Sequence, residues 1–254
     1  MKPTRLRVRM VVVAALMAAS AGTAAAAELT PGGMVAGPSG TTLAAEPQLA
    51  GRLVATRTAR FSYDGWYLDS SQGNTEALHG NVTGTVQSTV MRSVDGTLDF
   101  YWRISVSQAS FLPVASFGLG GWAPDTYNAN WLSDSKGEVL PAVVSQQSAG
   151  GINWAFGQYL PPSTEIYPGQ RSFSFFLDTD ADSYATTGSF SLLSERDSGG
   201  NMMIDWGGSS GSYRTFAPVW SSAGQVLAVP EPGSWALMAL GLAGLGMARR
   251  RRQP

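Results

Sequence analysis

The stretch "TLDFYWRISV", residues 97–106, decides the fold class of this chain. On an extended backbone, Leu98, Phe100, Trp102, Ile104 and Val106 fall on one face, and Thr97, Asp99, Tyr101, Arg103 and Ser105 on the other. A period of two with large apolar residues on one side predicts a half-buried strand. Val82, Val86 and Val90 keep an even spacing just upstream, and Asp95-Gly96 separates the two runs. Asp-Gly between alternating segments is a hairpin signal, because glycine accepts the positive φ that tight turns demand.

Working outward, further short strands are expected at 53–63, 138–144, 151–157, 171–177, 188–193, 201–206, 213–219 and 225–229. Turn residues separate them: Asp64-Gly65, Lys136-Gly137, Pro161-Pro162, Pro168-Gly169 and Ser198-Gly199-Gly200-Asn201. No segment sustains a 3.6-residue period. The pattern predicts an all-β domain over 52–228, an antiparallel β-sandwich or jelly roll. Residues 28–51 are rich in Gly, Pro, Ala and Thr without periodicity and read as a flexible leader.

Composition narrows the possibilities. The 254 residues include no cysteine, so neither disulfides nor thiol chemistry is available. Aromatic residues make up 10% of the chain, enough with regular patterning to drive burial and argue against disorder. Between Glu28 and Val229, nine basic residues stand against seventeen acidic ones, a net of −8. A surface of that sign repels phosphate backbones, which argues against nucleic acid as a partner.

Both ends carry charge and hydropathy patterns foreign to a β domain. At the N-terminus, Lys2, Arg5, Arg7 and Arg9 precede the apolar run Met10–Ala19, and Ala25-Ala26-Ala27 precedes Glu28. A basic region, a short apolar region and an A-x-A step define a secretory signal peptide over 1–27. At the C-terminus, Val229-Pro230-Glu231-Pro232 leads into the apolar run Gly233–Ala248 and then Arg249, Arg250, Arg251 and Arg252. The run is 16 residues, short of the roughly 20 needed for a comfortable span. Trp235, Leu237, Leu240, Leu242 and Leu245 supply most of its insertion tendency, so a single short transmembrane helix is expected to hold the chain only transiently. The arginines stay cytoplasmic by the positive-inside rule. The prolines fix φ and remove donors, which keeps the four residues before the helix extended.

Those three elements together, in this order, resemble the PEP-CTERM sorting signal of Gram-negative bacteria that make exopolysaccharide. The segment "PGQRSFSFFLDTDADSYATTGSFSLLSERDSGG", 168–200, is also similar to a recurring pattern of that group. The resemblance implies an exosortase-type processing enzyme as partner and a passing stay in the inner membrane. It then implies delivery to the cell envelope, surface or extracellular matrix. For the domain itself it implies a structural or adhesive role beside exopolysaccharide or in a biofilm. A carbohydrate-binding module is the alternative, and a polysaccharide hydrolase a third.

Local chemistry is sparse. Asp178, Asp180 and Asp182 form D-x-D-x-D, the first half of a calcium loop, but Ser183 and Ser189 stand where an EF-hand needs Gly and Glu. Calcium at an irregular site and a solvated acidic turn both remain open, and no other cofactor is expected. Gly207-Gly208-Ser209-Ser210-Gly211 satisfies G-x-S-x-G, yet the sole histidine, His79, lies far upstream and no helix follows, so a glycine-rich hairpin turn is the better reading. No carboxylate pair sits in a recognisable motif, and the domain is not expected to be an enzyme. Aromatic residues in loops can stack on sugar rings; Trp122 and Trp131 are the candidates for glycan contact, while Trp102 and Trp154 are assigned to the core.

Overall fold

The computed structural model describes residues 27–69, 76–157, 165–196 and 204–220. Thirteen strands run through these residues: β1 (Ala27–Leu29), β2 (Met34–Ala36), β3 (Arg52–Asp69), β4 (Glu76–Arg92), β5 (Leu98–Val106), β6 (Ser116–Gly120), β7 (Tyr127–Leu132), β8 (Val143–Gln146), β9 (Ile152–Ala155), β10 (Ser174–Thr179), β11 (Ser183–Arg196), β12 (Ile204–Ser209) and β13 (Tyr213–Val219). The described residues hold no α-helix, only one 3-10 turn at Pro47–Leu49. The signal peptide, apart from Ala27, and the whole C-terminal segment lie outside the described residues, as does the strand expected at 225–229.

The hairpin read from the sequence is present. β4 and β5 pair antiparallel from Gly84↔Val106 to Arg92↔Leu98. Gly96 turns with φ +97°, and Asp95 Oδ1 accepts from the Thr97 backbone N–H at 3.0 Å and its hydroxyl at 2.6 Å. Asp64-Gly65, in contrast, is no turn. Both residues lie inside β3, whose register with β4 runs unbroken through Asp64↔Asn81 and Gly65↔Gly80. Gly65 is there for space: a Cβ would stand 2.8 Å from Leu112 Cδ1 and 2.9 Å from Val82 Cγ2.

All thirteen strands join one antiparallel sheet, in the order β1-β7-β10-β5-β4-β3-β12-β11-β6-β9-β8-β2, with β13 on β11. Neighbouring strands lie about 4.8 Å apart, so β5 and β6, five steps apart, would be about 24 Å apart in a flat sheet. Yet the rings of Trp102 on β5 and Phe117 on β6 have centroids 5.9 Å apart, and Phe175 on β10 meets Trp154 on β9 at 5.0 Å. The sheet therefore doubles back, and its two halves enclose an aromatic core. Phe175 also contacts Phe117 and Phe156, and Phe117 stacks on Phe190 at 5.4 Å. The ends of the path, β1 and β2, are joined by the turn at residues 30–33, closed by Gly33 N–H to Thr30 O at 2.8 Å.

Two polar links run through this core. Trp102 Nε1–H donates to Thr215 Oγ1 at 3.1 Å, and Thr215 Oγ1–H to Ser88 Oγ at 2.9 Å, a chain linking β5, β13 and β4. Tyr63 O–H and Ser194 Oγ share a bond of 2.8 Å, and burial pushes the phenol up to about 12.

Two further expectations need correction. The first concerns 207–211, which is not a hairpin turn. Leu193 on β11 faces Ser209 and Phe190 faces Tyr213, so β12 and β13 are successive halves of one path along β11. The second concerns 28–51, which is packed rather than a free leader. Leu29 and Leu49 are fully buried, β1 pairs with β7 and β2 with β8. Residues 37–51 then cross the outer face of the sheet as a strap. Gly37 N–H donates to Ala142 O at 2.7 Å, Thr41 N–H to Trp131 O at 2.8 Å, and Ser133 N–H returns to Thr41 O at 2.8 Å. These three backbone bonds reach partners ninety or more residues away, which local sequence patterning does not register.

Candidate functional site

The strap changes the character of the strand that opened the sequence reading. The inward residues Leu98, Phe100, Trp102 and Ile104 are buried as expected. The outward residues are not free: Asp99 is 0% exposed and Tyr101 7%. Leu49 from the strap, Tyr101, Leu132 and Phe176 form a second apolar cluster on this outer face, with Met91 at its margin. Polar side chains that belong in water are therefore enclosed between sheet and strap.

The most perturbed of these is Asp99. Asp99 and Asp178 sit directly opposite each other on β5 and β10. Ser93 donates a short hydrogen bond to Asp99 Oδ2, and Tyr101 O–H donates to the same atom at 3.4 Å. Asp99 Oδ1 is buried and has no donor among the described residues. A proton on that oxygen resolves the difficulty, since Asp99 can then donate to the Asp178 carboxylate. Desolvation accordingly raises Asp99 to about 8, against the lowering effect of Ser93, with Asp178 and Asp95 adding to the rise. Asp178 is raised as well, again first by desolvation, and is held partly in check by bonds from Asp99 and Asn128. Tyr101 is pushed above the ordinary phenol range by burial and then by the charges of Asp99, Asp178 and Glu46. Among the described residues no ion pair offsets this concentration of acid. The Arg92 guanidinium, the basic group on the adjoining strand, donates instead to the carbonyls of Gly96 and, at 2.9 Å, Asp182.

This pair lacks the layout of a glycosidase. Retaining enzymes hold their carboxyls about 5–5.5 Å apart and inverting ones about 6.5–9.5 Å, with a substrate bond between them. Asp99 and Asp178 stand directly opposite each other on neighbouring strands, and Asp99 is sealed from solvent, so no substrate bond fits between them.

The residues singled out from the sequence fall elsewhere. Asp178 faces Asp99, whereas Asp180 and Asp182 are exposed in the link from β10 to β11. Among the described residues no three acidic or histidine side chains converge as a metal group. Trp122 and Trp131 must be reassigned from loop-tip glycan contacts to the core. Trp122 is 4% exposed and lies edge-on to Phe100, Trp102 and Tyr127. Trp131 is part of β7, donates from Nε1 to Pro38 O at 2.8 Å, and meets Phe173 at 4.8 Å. The strap covers its ring at Gly40: a Cβ there would be 2.5 Å from the indole. A sugar has no face of either ring to stack on. His79 lies exposed on β4, 3.1 Å from Asp64 across the hairpin.

One charged residue escaped the sequence reading. Arg103, opposite Gln87 on β4, is half-buried on the outer face, and its guanidinium donates to Ser174 Oγ at 2.8 Å. Its Nε is buried without an acceptor, and no carboxylate among the described residues forms an ion pair with it. Burial, and then the charge of Arg171, lower its pKa. An arginine in an outward strand position was the available signal, but a half-buried strand places that position in water.

The fold is thus an all-β protein whose long antiparallel sheet is crossed outside by its own N-terminal segment. Beyond the described residues, positions 228–252 match the family model of the PEP-CTERM protein-sorting motif, so the chain carries that motif at its C-terminus. No curated protein matches the chain, and no solved structure does. Among the described residues no helix is long and apolar enough to cross a membrane.

Proposed function

We propose that this chain is an exported bacterial envelope protein, processed by an exosortase-type enzyme at Val229-Pro230-Glu231-Pro232 and delivered to the cell surface or matrix. The observation that carries the proposal is the sorting motif at 228–252, joined to the signal-peptide pattern at 1–27. In this reading Trp235 and the leucines at 237, 240, 242 and 245 hold the chain briefly in the inner membrane. Arg249–Arg252 fix its orientation. The β domain is a two-layered sandwich that survives outside the cell by packing alone, there being no cysteine to cross-link it. Its role beside exopolysaccharide or within a biofilm is structural or adhesive. A carbohydrate module built on Trp122 and Trp131 is disfavoured, because both rings are enclosed.

The test replaces Pro230-Glu231-Pro232 by three alanines in the native host. Expected is an unprocessed precursor that stays in the inner membrane fraction. Unchanged gel mobility together with unchanged surface delivery overturns the proposal.

A further inference from the structure

We infer that the outer face carries a binding pocket for a compact carboxylate, with Arg103 as the anion's partner. The pocket encloses about 220 Å³ between the strap and strands β4, β5 and β10. Its wall is apolar on the strap side, where Leu49 faces Met91 and Tyr101. Gln87, Arg103 and Ser174 supply the polar side.

Three observations converge on an anion. First, Arg103 is partly desolvated, and a desolvated charge is costly unless an opposite charge or full hydrogen bonding offsets it. Second, no offset is present: among the described residues one bond to Ser174 is its only side-chain acceptor, and Nε has none. Third, the guanidinium fork matches a carboxylate through two parallel N–H bonds, and Ser174 and Gln87 stand beside it to serve a further oxygen. The acidic groups of this face do not fill the role: among the described residues none forms an ion pair with Arg103, and Asp99 and Asp178 face each other across β5 and β10.

The remaining surface sets the body of the ligand. At about 220 Å³ the pocket is smaller than the 300–1,000 Å³ usual for drug-sized ligands, so one ring or a short chain is the limit. Leu49, Met91 and Tyr101 require that this body present an apolar flank. Two sources share that chemistry: a uronic acid residue of an acidic polysaccharide, and a free short-chain carboxylic acid.

The experiment uses the full-length chain with ε-¹³C-methyl methionine, the Met91 signal being assigned by Met91→Leu. D-glucuronate and hexanoate are titrated separately, with glucose and hexanol as neutral counterparts. Expected is a saturable shift of the Met91 methyl with at least one of the carboxylates and none with the neutral counterparts. A response to glucuronate alone assigns the polysaccharide source, and a response to hexanoate alone the free acid. Arg103→Gln is expected to weaken binding about 10–100-fold, the size of lost hydrogen bonds to a charged group. Because the first comparison uses the unaltered protein, it decides even if that variant misfolds. No Met91 shift with either carboxylate, or an equal response to the neutral counterparts, overturns the inference. So does unchanged affinity in a folded Arg103→Gln protein.

Discussion

Replacing Asp99 by Asn should remove a pH dependence of stability that the native chain carries. In the folded state Asp99 keeps a proton to about 8, whereas an unfolded aspartate releases it near 4. Between those limits the folded state binds more protons than the unfolded one, so stability falls as pH rises. The contribution is complete below about 4, declines through the window and is gone above about 8. One retained proton gives a slope of at most about 1.4 kcal/mol per pH unit. Asn is close in shape, and its amide can donate to Asp178 as the protonated acid does, but it does not titrate. The assay is urea unfolding of full-length native and Asp99→Asn chains, followed by tryptophan fluorescence at pH 4.5, 6.0 and 7.5. The two are expected to lie within about 1 kcal/mol at pH 4.5, with the variant the more stable by about 2–4 kcal/mol at pH 7.5. Exposed carboxylates titrate alike in both proteins and cancel in the difference. Glu46, Asp95, Asp178 and Asp180 are the other acids coupled to this site, and none is altered. A stability difference that stays constant across the three pH values would refute the shared proton.

Other perturbations probe the strap and the core. Gly40→Ala should destabilise by about 1–3 kcal/mol in urea, because the new Cβ meets the Trp131 ring at 2.5 Å and φ is +74°, which disfavours a side chain. Its signature is a red-shifted Trp131 emission as the strap lifts from β7. Thr215→Val removes the acceptor of Trp102 Nε1 and the donor to Ser88 at once; a loss of about 1–3 kcal/mol is expected by the same assay. Phe175→Ala should cost about 3–5 kcal/mol, since this ring contacts Trp102, Phe117, Trp154 and Phe156 where the two halves of the sheet meet.

What could be read in advance follows the range of the forces involved. The β5 period and the Asp95-Gly96 turn are local: each is set by alternation along one backbone and by one glycine conformation, so they were visible without partners. The 213–219 strand was visible for the same reason. Asp64-Gly65 misled because a glycine that is needed for room and one needed for a turn look identical in a sequence; only Leu112, arriving from forty-seven residues on, separates them. β1 and β2 are three residues each, too short to show a period, and they exist because β7 and β8 offer edges.

The strap explains why the site was the least legible part. Asp99, Tyr101 and Arg103 were assigned to solvent by the logic that made β5 a strand, and that logic holds for any sheet with one wet face. Residues 37–51 void it without any apolar period of their own. Their anchorage is backbone to β7, with Leu49 as the one fully buried plug. Covering the outer face costs little in sequence complexity, yet it converts surface polar residues into buried ones. An acid directly opposite another on the neighbouring strand then has to hold a proton, and an arginine on the same face is left with a single bond to Ser174. The two consequences are separable. The proton is satisfied within the chain by Asp178, so Asp99 is read as structural and tested by stability. The guanidinium is not satisfied within the described residues, so Arg103 is read as waiting for a ligand and tested by binding. A surface that merely tolerated burial would show neither the pH slope nor the carboxylate preference.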